Sequence, residues 1–77
     1  MISAYVLVQV QVGRSAEAGS EIARVENVIS SDVVAGHYDV IALAQTAGMD
    51  DLGKLVVARI QAVDGVTRTL TCPVIEL

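Results

Sequence analysis

From Ile2 to Val12 every even position is apolar: Ile2, Ala4, Val6, Val8, Val10 and Val12. The odd positions Ser3, Tyr5, Leu7, Gln9 and Gln11 are mixed. Successive strand side chains point to opposite faces, so this period of two demands a strand with one wholly buried face. Such a strand needs a second layer to cover it.

The rest of the chain supplies that layer in a recognisable order. Gly13 ends the first strand, and Ser15 is placed to cap a helix whose first turn carries Glu17. Ala18, Ile22, Val25 and Ala23 are the expected buried stripe of that helix. Asn27 stands where a left-handed stop belongs, and Val28 to Ala35 reads as a strand. Gly36-His37 separates it from a further β run, Tyr38 to Thr46, so the two are expected to form an antiparallel hairpin with a positive φ at Gly36. Asp50 and Asp51 mark the positive end of a second helix. Its buried stripe is Leu52, Leu55, Val56, Arg59, Ile60 and Val63, spaced by threes and fours. Gly65 caps it, and the last strand runs from Val66 to about Ile75. That strand carries Thr67, Thr69 and Thr71 on one face and Val66, Arg68, Leu70 and Cys72 on the other. Pro73 cannot donate a ladder hydrogen bond, so this strand is expected to lie at a sheet edge or to lose pairing there.

The order is β-α-β-β-α-β. Two right-handed βαβ units joined by a hairpin give a ferredoxin-like α+β sandwich, with both helices on one sheet face. The other face would then expose Tyr5, Leu7 and part of the β run from Tyr38, which is a liability in a monomer. Composition sharpens the point. A single domain of 77 residues is marginal by itself, and its apolar content is 53%. One cysteine, Cys72, and one histidine, His37, exclude an internal disulfide and disfavour a closed zinc site. Self-association remains, and the expected form is a homodimer with sheets face to face, a dimeric α+β barrel. A net charge of −4 with scattered bases argues against direct nucleic-acid binding. No stretch is long and apolar enough for a membrane span, and no secretory signal opens the chain. A cytoplasmic protein without membrane contact is expected, consistent with a lone reduced cysteine.

Two clusters carry polar chemistry. In Gly36-His37-Tyr38-Asp39 an acid follows a turn directly, although strands disfavour Asp. Asp39 either accepts backbone N–H bonds at the turn or forms part of a ligand site, and both roles are compatible. The threonines of the last strand are either a solvated face or a row of hydroxyls for a small polar ligand. His37 has no nucleophile partner, and Cys72 reads as a small core or interface residue. The glycines form no phosphate-binding loop. No catalytic, metal or cofactor signature is present.

Together, Gly36-x-Tyr38-Asp39 and Gly65-Val66-x-Arg68-Thr69-x-Thr71 resemble the C-terminal effector domain of the Lrp/AsnC regulators, called the regulation-of-amino-acid-metabolism (RAM) domain. The resemblance spans nearly the whole chain, from Ala4-Tyr5-Val6-Leu7-Val8 onward, so residues 1–77 are expected to be one RAM-like domain. It implies a homodimer that assembles further into an octamer-like disc. It also implies an amino acid or related metabolite held near Gly36, Tyr38 and Asp39, with Thr69 and Thr71 as weaker candidates. An ammonium group needs an anion, which Asp39 supplies, and Gly36 allows close backbone approach. The helix-turn-helix domain of the full-length family regulators is not found here, so the chain resembles stand-alone members. The expected function is effector sensing that modulates transcription through full-length Lrp/AsnC regulators as partners, without direct DNA contact. The rival reading is a small dimeric enzyme, an isomerase or cofactor-free monooxygenase, using His37, Tyr38 and Asp39 as acid/base groups. The apolar inward face Ala4, Val6, Val8 and Val10 counts against it.

Overall fold

In the computed structural model, which describes residues 1–77, the first strand β1 spans Ile2–Val10 and the first helix α1 spans Ser15–Ala23. Strands β2 (Val28–Val33) and β3 (Val40–Thr46) follow. The second helix α2 (Met49–Leu55) continues into a π-helical segment, Val56–Ile60, before β4 (Val66–Pro73). All strand pairs are antiparallel, in the order β2-β3-β1-β4. This is the βαββαβ sandwich expected from the sequence.

The barrel does not form. The sheet is open, with β2 and β4 as its free edges, so the ferredoxin-like sandwich stands and the dimeric α+β barrel is corrected. Four strands are too few to close on themselves around a filled interior.

The alternation of β1 fixes the core. Ala4, Val6 and Val8 are fully buried, as are Val40, Ala42 and Ala44 of β3 beside them. The helices lay Ala18, Ile22, Leu52, Leu55 and Ile60 onto that face. Each large side chain buried there contributes about 1.5–3 kcal/mol. Gly19 is buried too: a Cβ there would stand 2.8 Å from Val33 Cγ2, so the α1 backbone packs directly on the Val33 side chain of β2. Ala23, expected in the stripe, faces solvent.

Several boundaries shift for physical reasons. β1 stops at Val10, leaving Val12 exposed, because the pairing with β4 slips between Gln9 and Val10. That bulge also turns Val66 toward the helices, opposite Val10, and away from the face it was expected to share with Leu70 and Cys72. Ser15 is the first helical residue and caps nothing. Asn27 adopts the left-handed conformation expected of it, with φ 74°. Arg59 leaves the buried stripe because the π segment bonds Gln61 N–H to the Val56 carbonyl, five residues back, at 2.8 Å. The extra residue in that turn puts Leu55 and Ile60 on one face and rotates Arg59 off it. No helix is long and apolar enough to cross a membrane.

Candidate functional site

The β2–β3 connection is wider than a two-residue hairpin. β2 ends at Val33 and β3 begins at Val40, so Gly36, His37, Tyr38 and Asp39 all belong to the loop. Gly36 has φ 146°, a conformation that side chains resist, and nothing lies within 4 Å of where its Cβ would be. Its glycine requirement is therefore one of backbone conformation alone.

Asp39 is the anchor of this loop. Its backbone N–H donates to the Val8 carbonyl at 2.8 Å, and its carbonyl accepts from the Val34 N–H at 2.9 Å. Its carboxylate Oδ2 accepts the Val10 N–H at 2.9 Å, at the point where β1 slips register. Gln9 Nε2 donates to the His37 carbonyl at 2.8 Å, a second tie between β1 and the loop. Asp39 thus closes a bulge in β1. The sequence identifies the residue but places its partners within the turn itself, whereas the structure places them on β1. A carboxylate offers about four acceptor positions and only one is taken, so Asp39 keeps capacity for a ligand.

The threonines divide from this loop. Thr69 pairs with Val8 and Thr71 with Val6, across β1 from β3. Thr69 therefore lies two strand spacings, about 10 Å, from the Asp39 end of β3. Residues directly opposite one another share a sheet face, so Thr69 and Thr71 stand on the helix-covered side with Val6 and Val8. Thr69 Oγ1 already accepts from Gln61 Nε2 at 2.8 Å. Thr67 Oγ1 donates to the Gln9 carbonyl at 3.2 Å. Gly36, Tyr38 and Asp39 come together in the structure; Thr69 and Thr71 do not join them within one chain.

The helix-free face carries Tyr5 and Leu7 from β1, Ile41 and Leu43 from β3, and Leu70 and Cys72 from β4, all in register. Asp32 on β2 and Arg68 on β4 flank it. No cluster of three or more His, Cys, Asp or Glu side chains is placed to hold a metal. A cavity of about 570 Å³ lies at the far end of the sheet from Asp39 and is lined by Met1, Asn27, Thr46, Lys54 and Arg59 among others. No sequence motif points to it, although Asp51, Lys54 and Ala58 recur at helical spacing beside the core stripe.

Comparison with known proteins identifies the family of this chain. Residues 3–77 match the model of the Lrp/AsnC ligand binding domain. A crystal structure from Thermus thermophilus superimposes with a TM-score of 0.93 at 31% identity, covering 100% of this chain and 96% of that one. A transcriptional regulator of Neisseria meningitidis, solved as a complex with L-Met, superimposes with a TM-score of 0.83 at 17% identity. That match covers 97% of this chain and 50% of that one, and it shows the fold alone. An uncharacterised HTH-type transcriptional regulator of Pyrococcus furiosus is 29% identical over 55 residues, 71% of this chain. The chain matches only 37% of that regulator's length. The chain belongs to the Lrp/AsnC ligand binding domain family.

Proposed function

We propose that this Lrp/AsnC ligand binding domain is a self-associating sensor for an amino acid or related small metabolite, and that it modulates transcription through partner regulators. The observation that carries the reading is Asp39, an acid held in place by the Val10 N–H with most of its acceptor capacity unused. An ammonium group placed against it gains a charge-assisted hydrogen bond without reorganising the loop. Gly36 and Tyr38 border the same loop and are assigned to the same site. Thr69 and Thr71 are assigned to it only through a neighbouring copy, since within one chain they face the helices.

Self-association supports this reading from two directions. The half-covered apolar row Tyr5, Leu7, Ile41, Leu43 and Leu70 offers a contact for a second copy laid against the open sheet. The three main cavities of the single chain do not include Gly36, Tyr38 or Asp39, so a binding pocket at that loop requires a second surface. A homodimer that assembles into an octamer-like ring would supply it. The net charge of −4 favours action through another protein over direct DNA contact.

Isothermal titration against the twenty amino acids is the test, with Asp39→Asn as the decisive variant. Asparagine keeps an oxygen for the Val10 N–H and removes the charge. Binding by the parent chain and its loss in Asp39→Asn, at unchanged fold, is the expected result. Equal binding by both would remove Asp39 from the site.

A further inference from the structure

In the ladder between β1 and β4, Gln9 pairs with Arg68 and Val10 pairs with Val66, so Thr67 is left without a partner on β1. A bulge of this kind bends its strand and re-aims a side chain. Here the re-aimed group is the Thr67 hydroxyl, whose Oγ1 donates to the Gln9 carbonyl at 3.2 Å.

The Gln9 carbonyl and the Val10 N–H are the two ends of one peptide unit. Its N–H end donates to Asp39 Oδ2 at 2.9 Å. Three groups therefore stand in series: the Thr67 hydroxyl, the Gln9–Val10 peptide and the Asp39 carboxylate. The peptide is planar, so a bond that holds its carbonyl also holds the direction of its N–H. Hydrogen bonds in series polarise one another, and a carbonyl that accepts one makes its own N–H the stronger donor. Thr67 and Asp39 do not touch, yet they act on the same rigid unit.

Gln9 acts on the loop a second time through its side chain. Its Nε2 donates to the His37 carbonyl at 2.8 Å, while the Asp39 N–H donates to the Val8 carbonyl at 2.8 Å. The loop is thus tied to β1 at residue 37 and again at residue 39, and Tyr38 is carried between the two ties. Nothing lies within 4 Å of the Gly36 Cβ position, so the loop gains no packing at that point. Its conformation rests on these hydrogen bonds.

We propose that Gln9 and Thr67 are positioning residues of the Asp39 site. Thr67 orients the carboxylate through the Gln9–Val10 peptide, and the Gln9 amide holds the loop backbone beside it. The inference rests on the reading of Asp39 as the anion for a ligand's ammonium, but the positioning itself belongs to the chain without ligand.

The experiment is NMR of the 77-residue chain and of Thr67→Val, Thr67→Ser and Gln9→Met. Valine keeps the branched shape of threonine without the hydroxyl, and serine keeps the hydroxyl. Methionine keeps the unbranched length of glutamine without the amide donor. In Thr67→Val the Val10 amide is expected to exchange with solvent about two- to tenfold faster, the effect of one exposed hydrogen bond, while Ala4 and Val6 keep their rates. Thr67→Ser is expected to restore the parent rate at Val10. In Gln9→Met the Tyr38 amide resonance is expected to shift, and residues 36–38 to gain nanosecond motion. An unchanged Val10 rate in Thr67→Val overturns the proposal, as does an equal rise at Ala4 and Val6, which would report a strand loosened as a whole. Failure of Thr67→Ser to restore the rate, or an unchanged Tyr38 resonance in Gln9→Met, overturns it as well.

Titration of the same variants with the twenty amino acids separates this inference from the reading it rests on. An amino acid that binds the parent is expected to bind Thr67→Val and Gln9→Met about two- to tenfold more weakly, and Thr67→Ser as the parent does. Equal binding by all four chains overturns the positioning. No binding by the parent, with the amide changes as expected, removes the ligand reading and supports the positioning.

Discussion

The two faces of the sheet are built from the same strands and have opposite fates. On the helix side Ala4, Val6, Val8, Val40, Ala42 and Ala44 are all fully buried, and all are small or β-branched. On the other side Tyr5 and Leu70 are each 47% exposed, and the residues are larger. Small side chains let the helices settle close to the strands, as the contact of Gly19 with Val33 illustrates. The larger ones on the bare face fill no space within the chain. One face therefore holds the fold, and the other is available for assembly.

Substitutions on the two faces should separate these roles. The largest effect is expected from Val6→Asp, which puts an unpaired charge at a fully buried position. The cost of several kcal/mol exceeds what a domain of this size can lose, so circular dichroism should show an unfolded chain. Ile22→Ala, also fully buried, should lower stability by about 2–5 kcal/mol in denaturant titration while leaving the native spectrum intact. Gly19→Ala should cost about 1–3 kcal/mol, since its new methyl group would overlap Val33. The smallest effect on the fold is expected for Tyr5→Ser combined with Leu70→Ser. Each exposed substitution should stay within about 0.5 kcal/mol for the single chain. The same pair should shift the sedimentation profile toward the 8.1 kDa species. A bare-face pair that unfolds the chain, or that leaves sedimentation unchanged, would break the division of roles between the faces.

Asp39 offers a finer comparison within the loop. Asp39→Ala leaves the Val10 N–H without its acceptor and should cost about 1–3 kcal/mol. Asp39→Asn should cost less, because an acceptor remains. If the two variants are equally destabilised, the charge and not the hydrogen bond closes the bulge.

Much of the fold is legible in the sequence because periodicity is a direct imprint of burial. The burial of Ala4, Val6, Val8 and Val10 in β1, the stop at Asn27 and the positive φ at Gly36 and Gly65 all appear as the sequence implies. The failures are of one kind: features set by tertiary hydrogen bonds and not by local pattern. The slip between Gln9 and Val10 is stabilised by a carboxylate from residue 39, which no local window contains. The π turn displaces Arg59 because a stripe counted at three and four residues per step has no place for the fifth that this helix adds. A barrel follows from an apolar face that needs cover, but an open sheet met by another surface answers the same need. Gly36, Tyr38 and Asp39 are legible as a local motif. Which face Thr69 and Thr71 occupy depends on the register of β4 against β1, which alternation alone leaves open.

The account turns on a sensor that is complete only as an assembly, and native mass spectrometry of the chain with and without amino acids tests it most directly. The expected spectrum contains multiples of 8.1 kDa, with an amino acid retained on the assembly or changing its distribution. A monomer that neither associates nor binds any amino acid would contradict it.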